Sequence, residues 1–312
     1  MNSTGDISHP TGNTQGRSGF WMGLAAYSIW GFFPLYFKAL AQVPAAEVLA
    51  HRIIWSAAFL LIFVAVTRSG ARLRSMVLNR RTLATLTLTT LLISTNWFVF
   101  IYAVAAGKVL ESSLGYYLNP LVSIFLAAVF LREKLTGRQK VAIALAAAGV
   151  GVQTVMIGRL PLISITLAFS FGLYGLIRKA ACLPAVTGLA IETTLLSPLA
   201  LGYLLWLFSA DRLSFMALGK NIDILLLLAG VITVTPLILF GGALNRLRLS
   251  TMGIMQYIVP TAHFAWAVFA FGEPFTTSHL VSFGFIWAGL FLYSSESLGI
   301  SRLVTQAALK IQ

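Results

Sequence analysis

Apolar stretches follow one another from residue 20 to 295, broken only by short polar loops. Each is close to the ~20 residues a helix needs to cross a hydrocarbon layer. They fall at 20–39, 45–66, 83–105, 110–131 and 139–157, and then at 160–178, 185–208, 222–244, 249–271 and 276–295. Short loops make neighbouring helices antiparallel. Residues 1–18 are polar and rich in Gly, Ser, Thr and Asn, the composition of a disordered tail, and lack the basic-then-apolar order of a cleaved signal peptide. The pattern predicts an all-α integral membrane protein with ten transmembrane helices.

The stretch LESSLGYYLNPLVSIFLAAVFLRE at 110–133 has an echo. Adding 140 takes Tyr117 to Tyr257, Pro120 to Pro260, Ala127 to Ala267 and Glu133 to Glu273, and the same offset pairs Thr136 with Thr276, Val141 with Val281, Ala148 with Ala288 and Gly149 with Gly289. A proline inside an apolar span recurs, and so does an acid just past it. The chain is therefore expected to hold two five-span halves, 19–157 and 158–295. An odd number of spans per half makes the second half enter from the opposite side, so the repeat is inverted. Proline-broken spans at matching positions of inverted halves point to a carrier with its site near the midplane.

Composition agrees. Of 312 residues, 58% are hydrophobic and 10% charged, with mean hydropathy +0.87. The net charge of +13 invites a nucleic-acid reading, but the placement of the cations opposes it. Sixteen Lys and Arg lie in loops on the side of the N-terminus and five on the other, with Arg52 inside a span. Cationic loops stay in the cytoplasm, so both termini are expected there, including a tail at 296–312 with Leu298, Leu303 and Leu309 toward lipid. A single cysteine, Cys182, excludes internal disulfides and CxxC metal sites.

Ionisable groups at membrane depth are costly and face a partner or a cavity. In span 2, Glu47, His51 and Trp55 share a helical face, with Arg52 beside them. Arg52 is read either as bridging Glu47 or Glu111 or, with His51, as part of a gate or proton-coupling group. Span 3 carries Asn96 and Trp97. Span 4 places Glu111, Gly115 and Asn119 on one face, and span 9 does the same with Gly253, Gln256, Pro260 and His263. Pro120 and Pro260 break the helical hydrogen-bond ladder, freeing carbonyls that must line protein or a cavity. Span 7 carries Glu192, with no basic partner evident at its depth, so a proton- or cation-binding role stands beside a purely buried one. Trp30–Gly31 and Tyr174–Gly175 set an aromatic beside a small residue. Ala144 and Ala148, four apart in span 5, are expected at a helix–helix or dimer contact.

No GxxxxGK[ST] loop, HExxH, GxSxG or TVGYG-type filter occurs. The sequence therefore predicts no enzyme, no cofactor and no metal site. AAYSIWGFFPLYFK at 25–38, EVLAHRIIWS at 47–56, TNWFVFIYAV at 95–104, LESSLGYYLNPLVSIFL at 110–126 and RLRLSTMGIMQYIVPT at 246–261 resemble the RarD branch of the EamA family, in the drug/metabolite transporter superfamily. So do IRKAACLP at 177–184 and GLAIET at 188–193. The resemblance implies two inverted five-helix repeats, a bacterial inner-membrane location and a carrier of small organic solutes, often an exporter. The branch has been linked to chloramphenicol sensitivity or resistance.

The expected activity is secondary transport of a small organic metabolite or drug by alternating access. The alternatives are an uncoupled facilitator and a membrane accessory subunit. The expected partners are the solute and membrane lipid, with no nucleic acid, in a monomer or homodimer. The expected lining is Trp30, His51, Asn96, Trp97, Tyr117, Asn119, Glu192, Gln256 and Tyr257, between helices broken at Pro120 and Pro260.

Overall fold

The computed structural model describes residues 11–130, 132, 134–244, 246, 247, 252 and 255–297. Every regular element among them is helical. In chain order these are α1 (Thr11–Gly31), α2 (Phe33–Ala39), α3 (Ala45–Val66), α4 (Gly70–Leu78), α5 (Arg80–Ala105) and α6 (Val109–Phe130). They continue with α7 (Gly137–Ile157), α8 (Leu162–Ala180), α9 (Ala185–Ser209), α10 (Lys220–Leu244), α11 (Ile258–Ala265) and α12 (Thr277–Ser297). A single π turn, Trp266–Ala270, extends α11. Glu133, Gly253 and the interfacial helix expected after Glu296 lie outside the described residues.

Six of these helices are long and apolar enough to cross a membrane: Ala45–Val66, Arg80–Ala105, Val109–Phe130, Gly137–Ile157, Val186–Ser209 and Lys220–Ala243. Their outward faces carry Ile62, Val66, Leu91, Val155, Leu199 and Phe208, all more than half exposed. In water such a surface would drive association; against lipid tails it is the solvated face.

Helix ends follow local chemistry. Asn79 caps α5, its side-chain oxygen accepting from the Arg81 and Thr82 amides at 3.1 Å each. Thr136 and Gln139 close a reciprocal capping box on α7, and Gly158 ends that helix in the left-handed conformation at φ 73°. Pro44 and Pro184 stand immediately before α3 and α9. The expected single span 20–39 is split into α1 and α2, and two further elements depart from the sequence reading. Helix α1 begins at Thr11, inside the expected polar tail. The Arg-rich segment after α3, read as loop, forms α4, which buries Met76 against Leu86 and Ile191 while Arg72 and Arg74 stay exposed.

The helices pack in a definite scheme. Helix α3 lies between α9 and α10; α1 packs on α10 and α11; α8 packs on α5 and α6; α6 also meets α11; and α7 lies along α12. The largest apolar core joins Phe33, Phe37, Phe100, Leu114, Leu121 and Phe283, among others.

The α7–α12 seam is tight. A Cβ on Gly149 would stand 2.9 Å from the Ser282 carbonyl oxygen, and one on Gly289 2.9 Å from that of Ala142. The buried stripe on α7 is Ala142, Ala146, Gly149 and Gln153. Ala144 and Ala148, expected at a helix–helix or dimer contact, are exposed and take no part in this seam. Helix α7 carries two small-residue stripes, and the glycine-bearing one makes the closer contact. Gly149→Leu is expected to lower the unfolding midpoint of the detergent-purified protein by several degrees, since overpacking costs about 1–3 kcal/mol. Ala148→Leu, on the exposed face, leaves it nearly unchanged.

Candidate functional site

The first apolar stretch contains a break that organises the centre. Pro34 has no N–H, so the Trp30 carbonyl loses its helical donor. The Leu35 amide turns to Phe32 O at 3.1 Å, which leaves the Gly31 carbonyl without its usual partner as well. Both oxygens are met from α11 and its π turn: His263 Nε2 lies 3.0 Å from Trp30 O, and Trp266 Nε1 donates to Gly31 O at 3.0 Å. The approach is close, because a Cβ on Gly31 would stand 2.9 Å from Ala262 Cβ. A carbonyl only accepts, so His263 donates from Nε2 and its Nδ1 is the acceptor. That Nδ1 is buried with no hydrogen-bond partner. Phe100 stacks on the imidazole at 5.2 Å and Tyr116 meets it edge-on at 5.5 Å.

Beside this junction lies Arg52, 4% exposed. Its guanidinium carbon sits 4.2 Å from the Trp97 ring centroid and 5.5 Å from those of Phe33 and Phe37. Nε donates to Thr233 Oγ1 at 2.9 Å; the terminal nitrogens make no hydrogen bond to the described residues. The expected bridge to Glu47 or Glu111 is corrected. Glu47 Oε1 accepts instead from the Ser214 and Phe215 amides at 2.7 and 3.2 Å, holding the α9–α10 connection against α3. Glu111 lines a separate cavity of about 540 Å³ with Gln153, Arg159 and His279. Desolvating a charge costs several kcal/mol. Cation–π contact returns about 2 kcal/mol or more when desolvated, and a charged hydrogen bond about 1.5–3 kcal/mol. The cage tolerates the cation without neutralising it.

The expected lining residues divide among several places. Trp30, Asn96 and Trp97 surround the junction just described. Asn96 is already engaged: Nδ2 donates to Leu167 O and Ser170 Oγ at 3.0 Å each, tying α5 to α8. Tyr117 points elsewhere, its hydroxyl 2.8 Å from Thr261 Oγ1 and its ring edge-on to Phe283 and Trp287. Asn119 is buried, with Oδ1 unpartnered. Gln256 and Tyr257 occupy the turn entering α11 and are partly buried. His51 accepts from Trp55 Nε1 at 3.3 Å and lies against Phe215; its Nε2 is buried and unpartnered. Pro120 sits inside a continuous α6. The Pro260 carbonyl accepts from Ser113 Oγ at 2.8 Å, so the two proline-bearing segments touch.

Glu192 overturns one sequence inference, because it has a basic partner. Arg178, counted there as a loop cation, places Nη1 3.0 Å from both carboxylate oxygens. Thr89 Oγ1 donates at 2.6 Å and the Tyr174 hydroxyl at 3.2 Å. Gly188 leaves room for the guanidinium. Sequence reasoning missed Pro34 as a breaker, Trp266 as a donor and the aromatic cage of Arg52. Pro34 was legible, four residues after Trp30; the cage was not, because Phe33, Phe37 and Trp97 come from two distant elements.

The model of the EamA-like transporter family matches residues 17–154. An uncharacterized transporter of Vibrio cholerae is 43% identical over 283 residues, covering 90% of this chain and 93% of its own. Protein RarD of Escherichia coli is 42% identical over 291 residues, covering 92% of this chain and 97% of its own. A solved crystal structure, 17% identical, matches with a TM-score of 0.55 over 90% of this chain and 97% of its own, so the fold is shared.

The Glu192 cluster is expected to behave as a structural staple. Glu192→Met strands a buried guanidinium and should cost about 3–5 kcal/mol. The double change Glu192→Met, Arg178→Met should recover most of that loss. A double-mutant cycle on unfolding midpoints measures it.

Proposed function

Because the chain belongs to the EamA family, in its RarD branch, we propose that it is a secondary carrier exporting a small organic solute by alternating access. Ten spans form two inverted five-helix repeats, 19–157 and 158–295, in a bacterial inner membrane. The cation asymmetry between alternate loops supports cytoplasmic termini.

The packing scheme supports the inverted repeat. Exchanging first-half with second-half helices maps α3·α9, α6·α11 and α7·α12 onto themselves. It also maps α6·α8 onto α11·α1, α5·α8 onto α10·α1, and α3·α10 onto α9·α5. The seam glycines follow the 140-residue offset: Gly149 meets Ser282, and Gly289 meets Ala142.

One observation carries the carrier reading. Proline-bearing segments from both halves, α6 and the start of α11, lie against each other, with buried Asn119 Oδ1 and His263 Nδ1 unpartnered in these helices. An anchor or accessory subunit has no use for such a centre, whereas a solute that enters and leaves it does. Asn119, Gln256 and Tyr257 are the lining residues assigned to the solute there, with Trp30 and Trp97 as aromatic walls. A specific observation favours the uncoupled variant of this function: both oxygens of Glu192 are engaged by Arg178, Thr89 and Tyr174, which leaves it poorly suited to carry protons. In that case an imposed pH gradient drives no accumulation in vesicles.

Solute counterflow in proteoliposomes tests the reading. Asn119→Ala and Gln256→Ala are each expected to reduce counterflow at least about tenfold, the effect of losing one hydrogen bond to a bound solute, with membrane abundance unchanged. A parallel loss of abundance makes both residues structural.

A further inference from the structure

Six acidic residues have described side chains, and none of these serves Arg52. Glu47 holds the 214–215 amides. Glu192 bridges Arg178. Glu273 caps α6, its two oxygens accepting from the Val109 and Leu110 amides at 2.7 Å each. Asp223 accepts from the Met216 amide at 2.7 Å. Glu111 lines the separate cavity, and Asp211 is exposed.

Arg52 is therefore a permanently charged fork at the heart of the helix packing, and its only hydrogen bond to a described residue is to Thr233. A guanidinium does not shed its proton to relieve burial. Its terminal nitrogens match a carboxylate in bidentate geometry. Around it stand Trp97, Phe33 and Phe37, with the Tyr36 and Tyr116 phenols near enough to feel its charge. A protein carboxylate in this position would compete with an incoming anion, and none of the described ones is placed there.

Resting on the carrier reading, we propose that Arg52 is the anion-binding residue of this carrier and that the solute is an organic carboxylate with an aromatic or apolar body. The carboxylate pairs with the guanidinium terminal nitrogens, and the body lies against the aromatic cage. The substrate class so defined places carboxylates ahead of neutral solutes, which forgo the pairing with the guanidinium.

The experiment measures thermal unfolding of the detergent-purified full chain with millimolar benzoate, indole-3-acetate and phenylpyruvate, each beside its neutral amide, and with chloramphenicol as a neutral comparator. At least one acid is expected to raise the midpoint while its amide does not. Arg52→Lys, which keeps the charge but loses the fork, should weaken that acid at least about tenfold, and Arg52→Gln should abolish the shift. Where Arg52→Gln yields no folded protein, the Lys variant decides. Amides or chloramphenicol binding as well as the acids, unchanged affinity in Arg52→Lys, or no shift with any acid overturns the proposal. Counterflow separates the two readings. A neutral solute that exchanges without competition from the acids leaves a carrier and removes the anion site. Arg52-dependent acid binding with no counterflow keeps the site and removes the carrier.

Discussion

Inside a hydrocarbon layer a backbone carbonyl that loses its helical donor has no water to turn to. Pro34 creates that problem where α1 gives way to α2, and the centre of the molecule is its solution. Two oxygens, of Trp30 and Gly31, are taken by His263 and Trp266, side chains more than 200 residues further on. Those bonds fix α11 against α1. They also fix the His263 tautomer and so present an acceptor nitrogen inward, between Phe100 and Tyr116. Gly31 is required for a steric reason, since a side chain there would push Ala262 away and lengthen both bonds.

How much of this was legible follows the range of each signal. The apolar stretch at 45–66 is helix Ala45–Val66, because a span is set by local composition. Helix α4 was hidden by its arginines: the count of cations marked a loop, while the one buried residue, Met76, gave too little periodicity to mark a helix. Arg178 was invisible as the partner of Glu192 for a different reason. It ends α8, and a turn brings it back to α9, a geometry that spacing along one helix does not encode. The small-residue motif named the helix, but the close contact within the chain is made by its other face. Alanines on both faces satisfied the four-residue rule, and only the glycine stripe permitted backbone contact.

The polar groups of the core fall into two kinds. Glu192, Glu273 and Asn96 have their hydrogen-bonding capacity filled by fixed partners. They behave as scaffold: each ties two separate elements together, and each would be costly to disturb. His263 Nδ1, Asn119 Oδ1, His51 Nε2, Glu47 Oε2, Gln153 Oε1, Ser56 Oγ and Ser282 Oγ are buried without partners, and no described acidic side chain pairs with Arg52. A buried polar atom left unsatisfied costs about 1–3 kcal/mol, so a fold that carries several is held at that expense by packing elsewhere.

The distribution of the two kinds carries the functional argument. Filled groups sit where helices are stapled: α8 to α9, α8 to α5, and α6 to the turn before α12. Of the unmet centres, Asn119 and His263 belong to α6 and α11, which meet, and Arg52 lies close by through its cage, since Phe37 meets Phe100 and Phe100 stacks on His263. Two more, Gln153 Oε1 and Ser282 Oγ, lie on α7 and α12, so burial without a partner does not by itself mark the centre. What distinguishes the centre is the charge of Arg52 beside the backbone broken at Pro34, which fits a region whose partner arrives with a solute.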